Sequence, residues 1–309
     1  MLKIEESFDS GEINLDSAKL VFESYNMVVE GSYDKVFSSS RPEDLLKIKE
    51  ESVLQYLIED LKRWAQTPIN DLGGVSPFDY FQSINNLKHL MDLFKLGSKL
   101  CDKDLPDPLL QRLKDFKHEA LDELMKLALD LSLLRDEEEM FASLMAIKIM
   151  GKWKIEAAVS PLIGLLSSLD SEDEIIIEEV YNTLIAIGDA SISGIANRLN
   201  EIDRVSLADE YLLGSLVKIS INSVDKTTHD MIYRCIKNTF NKMDDKVFGA
   251  MCLGDFGDGR AIPALRGYVQ KNRDSIDYET YCEIRAAVHR LGGNMDDLNI
   301  SFKEIELKK

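Results

Sequence analysis

The stretch Asn182 to Asn200, NTLIAIGDASISGIANRLN, decides the fold. Thr183, Leu184 and Ile187 make one apolar helical face, which closes at Gly188-Asp189. Ile192, Ile195 and Leu199 then repeat at i, i+3, i+7, the spacing of a second helical face. Glycine is the residue that most readily enters the left-handed region at a helix end, because it has no Cβ to clash. The stretch therefore predicts a helix, a tight turn and a second helix.

A variant returns at 250–269, AMCLGDFGDGRAIPALRGYV. With the last apolar turn of each first helix aligned, five copies appear. They are Ala146/Ile147/Met150, Thr183/Leu184/Ile187, Leu216/Val217/Ser220, Cys252/Leu253/Phe256 and Ala287/Val288/Leu291. Their lead residues are 37, 33, 36 and 35 positions apart. Gly151, Gly188, Gly257 and Gly292 each supply a stop; the third copy has Ile221 instead. The second helices follow as Val159/Leu162/Leu166, Ile192/Ile195/Leu199, Ile232/Ile236/Phe240 and Ile262/Leu265/Val269. One hairpin cannot bury both its faces, whereas stacked neighbours can, which is why such chains repeat. The β-branched run Ile175-Ile176-Ile177 falls inside a helix and reads as core, and strand signals are almost absent.

Outside 135–292 the repeat is not visible. Asp16 can cap a first helix with Leu20, Val21, Tyr25 and Val28 inward and Gly31 as its stop, leaving 31–41 as a loop. Pro42 suits the first turn of a helix that runs to about Trp64 with Leu54, Leu57, Ile58 and Leu61 on its apolar side. Residues 66–76 are rich in breakers and end in Ser76-Pro77-Phe78-Asp79, a helix start with cap, N1 proline and an acid at N3. One helix is expected from there to the break at 101–108, with Tyr80, Phe81 and Phe94 buried, and another from Leu109 to about Leu134. The domain reading is a helical, non-repeat region at 1–134, repeats at 135–292 and a tail at 293–309, joined as one continuous solenoid.

Composition narrows the function. The formal charge of −18 is split evenly, −9 in residues 1–134 and −9 in 135–309. A field of that sign repels phosphate backbones and argues against nucleic acid. Cys101, Cys235, Cys252 and Cys282 form no CxxC pair, which excludes a zinc ribbon and a disulfide framework. The N-terminus lacks an apolar signal region and no apolar run is long enough to cross a membrane, so the expected location is cytoplasmic.

Candidate chemistry is sparse. His118-Glu119 belongs to HEALD, which lacks the second histidine of a zinc pair. Asp255-Phe256-Gly257 spells a kinase triplet without the loops that accompany one, and Asp258 reads as the cap of the second helix. His89, His229 and His289 have no spaced partners, and no catalytic, metal or cofactor set emerges. Trp64 and Trp153 read as packing residues near helix ends.

The period near 35, the Gly-Asp turn and the start Ala261-Ile262-Pro263-Ala264-Leu265 resemble the HEAT repeat, most of all its short, bilin-lyase-like kind. The resemblance covers roughly 137–292. It implies an all-α, right-handed α-α superhelix, an ARM/HEAT-like solenoid of helical hairpins. It also implies a protein-binding scaffold or adaptor more than an enzyme; a bilin-lyase-like enzyme and a nucleic-acid handler are the alternatives. In such solenoids second helices tend to line the concave face. There the resemblance implies a partly basic groove of Arg198, Arg234, Lys237, Arg260, Arg266 and Lys271 for another protein or an acidic peptide, behind an acidic outer wall.

Overall fold

Every regular element among the described residues of the computed structural model is helical. The structure describes residues 14–39, 50–221, 225–298, 300 and 302. The chain divides into two compact units, Met1–Ala146 and Ile147–Lys309. The helix start expected at Pro42 lies outside the described residues.

In the first unit, α1 (Leu15–Ser39) and α2 (Glu50–Gln66) pack side by side. Trp64 Nε1 donates to Ser24 Oγ at 3.0 Å, and the Tyr25 and Trp64 rings meet edge to face at 5.3 Å. Ser32 Oγ and Lys35 Nζ both donate to Asp60, at 3.0 and 2.9 Å. This pairing corrects the stop expected at Gly31. A helix-interior glycine costs only about 1 kcal/mol, and the contacts with α2 outweigh it, so α1 runs on to Ser39. The apolar side expected of α2 is not fully covered: Leu54 and Ile58 are exposed.

Gly73 (φ 69°) and Gly74 (φ 82°) then reverse the chain. Ser76 Oγ accepts from Asp79 N at 3.2 Å and starts α3 (Pro77–Gln82) as its sequence predicts. The single helix expected from Pro77 to the break at 101–108 is instead two. Asn86 caps a new helix, α4 (Leu87–Leu100), by accepting from Lys88 N. Arg112 holds the break open to this register, donating to Ile84 O at 3.0 Å and to Asn85 Oδ1 at 2.9 Å. The helix expected at 109–134 is three: α5 (Asp107–Asp115), α6 (Lys117–Leu129) and α7 (Leu131–Leu134). Lys117, at φ 50°, and the N-cap Asp130 mark the breaks.

The boundary between the units falls inside α8 (Met140–Lys152). The second unit then alternates first and second helices. The second helices are α9 (Val159–Leu166), α11 (Ile192–Glu201), α13 (Lys226–Lys242) and α15 (Ile262–Lys271). The first helices are α10 (Glu174–Ile187), α12 (Leu207–Ser220), α14 (Val247–Phe256) and α16 (Tyr278–Arg290). Each of α10, α12 and α14 packs on the next first helix, and α9, α11 and α13 pack in a second row. The aligned apolar positions form the core: Ala146, Leu184, Leu216, Ala287, Leu162, Ile195, Ile236 and Leu265 are all fully buried.

Gly188, Gly257 and Gly292 have φ of 85°, 79° and 83°, the stops their positions predict. Gly151 does not. It sits inside α8, where a Cβ would stand 3.1 Å from Thr183 Cα, so its smallness serves close helix packing. The turn after α8 is made by Lys154 at φ 54°. The isoleucine run also needs correcting: Ile176 and Ile177 are core, whereas Ile175 is 61% exposed.

Aspartates cap several of these helices, and this has a pH consequence. The Ser132 hydroxyl and N–H hold the Asp130 carboxyl below its ordinary 3.8, and the Thr228 hydroxyl and backbone do so for Asp225. The Thr280 N–H and hydroxyl act likewise on Asp277. Depressed folded-state values mean stability that is present above the unfolded value and lost as pH falls through the folded one. Helicity followed by far-UV circular dichroism is expected to fall as pH drops below about 4. Asn caps nearly as well without titrating. The pair Asp225→Asn and Asp277→Asn is therefore expected to move the acid midpoint down, and an unmoved midpoint would contradict this assignment.

Candidate functional site

The six cations expected to line a groove all fall in the second unit, but the structure uses three of them internally. Arg198, on α11, turns to α12, where its Nε lies 3.2 Å from Asp209 Oδ1. Asp209 is 2% exposed and also forms a capping box with Ser206 at the start of α12. Arg260 lies 2.6 Å from both Asp230 and Asp258 and stacks over the Tyr233 ring at 4.4 Å. Arg266 binds Asn294 O and, at 2.6 Å, Asp297 Oδ2. These three arginines brace turns and helix ends, and their charge is largely met by carboxylates.

Arg234, Lys237 and Lys271 have no ion pair among the described residues; Arg234 and Lys271 are exposed and Lys237 half-buried. Arg234 belongs to the outward stripe of α13, with Asn238 and Asn241 one and two turns on. The outward positions of α11 are Ser193, Asn197 and Asn200, with the exposed Glu201 at its last residue. Those of α15 include Gly267 and Gln270. In a chain of −18, the outward stripes of this row present mainly amides, hydroxyls and cations, with Glu201 as an acid at the end of α11. Amides donate and accept together, which suits hydrogen bonding to an extended backbone.

Two lysines that sequence pattern alone does not pick out close helix ends in this row. Lys242 Nζ, at the end of α13, donates to the carbonyls of Leu199, Asn200 and Ile202 at 3.3, 3.0 and 2.6 Å. It closes the C-terminus of α11, where unpaired carbonyls carry the negative end of the helix dipole. Lys246 Nζ does the same for α13 through the carbonyls of Phe240, Asn241 and Met243. Burial lowers the Lys246 pKa. A basic residue in a last turn is a sequence signal, but Lys242 serves a neighbouring helix, which only packing reveals.

The titratable groups elsewhere are structural in their geometry. His229 Nδ1 is 3.6 Å from Asp258 Oδ2, and its ring lies on Phe256 at 4.5 Å. Asp258 caps the turn before α15 by accepting from Arg260 N at 2.9 Å, and hydrogen bonding to the Arg260 side chain pulls its carboxyl below the ordinary range. Burial pushes the thiol of Cys235 up to about 11 and that of Cys101 up to about 12, so both stay protonated at neutral pH. Trp64 is buried and its indole N–H is spent on Ser24. Among the described residues no group of three or more His, Cys, Asp or Glu is placed to hold a metal, and no helix is long and apolar enough to cross a membrane.

The first unit has a cleft of about 560 Å³ beside α4, α6 and α7. Met91 and Leu127 contribute apolar surface, and Lys88, Lys95, Glu123 and Asp130 add charges of both signs. No histidine or cysteine lines it. Its mixed walls offer neither a concentrated charge nor a nucleophile with a base beside it.

Comparison of the chain with protein-family models, curated proteins and solved structures finds no match.

Proposed function

We propose that this chain is a non-enzymatic scaffold or adaptor that binds another protein through the second helices of its repeat unit. The reading takes 135–292 as HEAT-like repeats forming a right-handed α-α superhelix, with α11, α13 and α15 on the concave side. One observation carries it: the outward faces of this row expose Arg234, Lys271 and a run of amides in an otherwise acidic chain. The ligand class that fits is an acidic peptide, its backbone on the amides and its carboxylates on the cations.

The test follows from which cations are free. Arg266 is unsuitable for charge reversal, because it holds Asn294 and Asp297. The pair Arg234→Glu and Lys271→Glu leaves those braces alone. With melting temperature unchanged, it is expected to weaken binding of a labelled alternating Glu-Ser peptide by about tenfold or more, which is ~1.4 kcal/mol. Equal binding by the variant and the parent would remove this reading of the surface.

A further inference from the structure

We propose that α10, α12 and α14 carry a second docking surface, built to receive an arginine- or lysine-rich segment of a partner protein on an aromatic floor framed by carboxylates. This goes beyond the function proposed above, since it uses the other row of helices and the opposite charge. The two tests share no substituted residue, so either can fail alone.

The floor centres on Gly214 of α12. A Cβ there would stand 3.3 Å from Phe248 Cζ and 3.5 Å from Tyr181 Cε2, so rings from α14 and α10 converge above a position with no side chain. Tyr211 adds a third ring, 5.5 Å from that of Tyr181 and nearly perpendicular to it at 85°. All three rings are half-exposed, and Met251, one turn past Phe248, is 36% exposed. Three adjoining helices thus present one patch of aromatic and thioether surface to solvent.

Carboxylates surround it. Glu174 Oε1 accepts from the Tyr211 hydroxyl at 3.0 Å. That hydrogen bond, with burial and the nearby Glu174 and Glu178 charges, raises the Tyr211 pKa. Glu210 precedes Tyr211, and its carboxyl is pushed up by burial and then by the charge of Asp245. Negative charge beside ring faces favours a cation over the rings, because both attract it. The chain already shows such a contact: Lys218 Nζ lies 5.2 Å over the Tyr181 ring. An incoming arginine or lysine would lay its aliphatic stem on the apolar floor and its head among the acids. A second copy of this chain fits poorly, since an isologous contact would set these carboxylates against themselves. The net charge of −18 adds long-range attraction for a basic segment.

The test is fluorescence anisotropy with a labelled octapeptide of alternating arginine and serine, at about 0.1 M salt so that distant charges are screened. The parent chain is expected to bind it. The pair Tyr181→Ala and Tyr211→Ala, and separately Glu174→Gln with Glu178→Gln, should each weaken binding by roughly tenfold. Lys218→Ala should tighten it severalfold by removing the resident ammonium. Tyr181→Phe with Tyr211→Phe keeps the rings and should bind within about twofold of the parent, which covers the case of an unfolded alanine variant. Glu137→Gln with Glu138→Gln makes the same charge change on exposed residues of the other unit and should have no effect. The proposal is overturned if the parent does not bind, or if that control weakens binding as much as the Glu174/Glu178 pair. It is also overturned if Lys218→Ala and the ring variants leave affinity unchanged.

Discussion

Replacing Phe240 by alanine is expected to cost the second unit about 3–5 kcal/mol, the range for a fully buried phenylalanine. Phe240 is 1% exposed at the closing end of α13, where α14 and α15 meet it. Its ring lies 5.7 Å from that of Tyr268 on α15, with Lys246 Nζ 5.2 Å above it. On α14, a Cβ at Gly249 would stand 2.9 Å from Phe240 Cδ2 and 2.8 Å from Met243 Sδ, so that helix already sits at the closest approach glycine allows. Truncation leaves a void at the meeting point of three helices whose own lock, Lys246 on the α13 carbonyls, resists collapse. The thermal midpoint should fall by about 10 °C. Phe240→Leu, which fills most of the space, should cost far less. A calorimetric shift below about 3 °C for the alanine variant would show that the site relaxes freely.

Gly254→Val is expected to cost about 3 kcal/mol, the upper part of the range for overpacking. A Cβ on Gly254 would stand 3.0 Å from Ala287 Cα and 2.8 Å from Arg290 Nε. Arg290 has a long side chain and can swing away, although that loosens its 2.6 Å bond to Glu283. The backbone of α16 at Ala287 cannot. A double variant with Arg290→Ala should therefore recover only part of the loss, as read from the urea midpoint at constant slope. Full recovery would mean that the arginine, and not the approach of the two helices, sets the need for glycine. The contrast is with Gly31, in a helix whose Cβ position meets nothing within 4 Å.

Much of the second unit was legible because its signals are local. Most of the aligned apolar positions are core, although Phe256, Ile262 and Leu291 are only half-buried, and Gly188, Gly257 and Gly292 end helices with positive φ. Ser76 and Asp258 cap as their neighbours predict. The same local reading gave false continuity at 83–86 and at 116–117, and a false stop at Gly31. At 83–86 and at Gly31 the deciding contacts come from Arg112, from Asn86 and from α2. Which of the six expected groove cations are paired was not legible for the same reason. Arg198, Arg260 and Arg266 look alike in sequence to Arg234 and Lys271, and only the folded chain brings Asp209, Asp230 and Asp297 against them.

The sequence by itself determined that the described residues are helical, where most second-unit hairpins turn and, for most second-unit helices, which face is buried. Those follow from apolar period, capping and the conformational freedom of glycine, all set within about four residues. The tertiary structure decided which charges remain free, why Gly151 lies inside a helix and that Tyr181, Tyr211 and Phe248 share one surface. Most of these outcomes depend on residues about 30 positions apart being brought into contact, and the pairing of Arg198 depends on Asp209 across the turn between two helices; no pattern within one helix carries that distance.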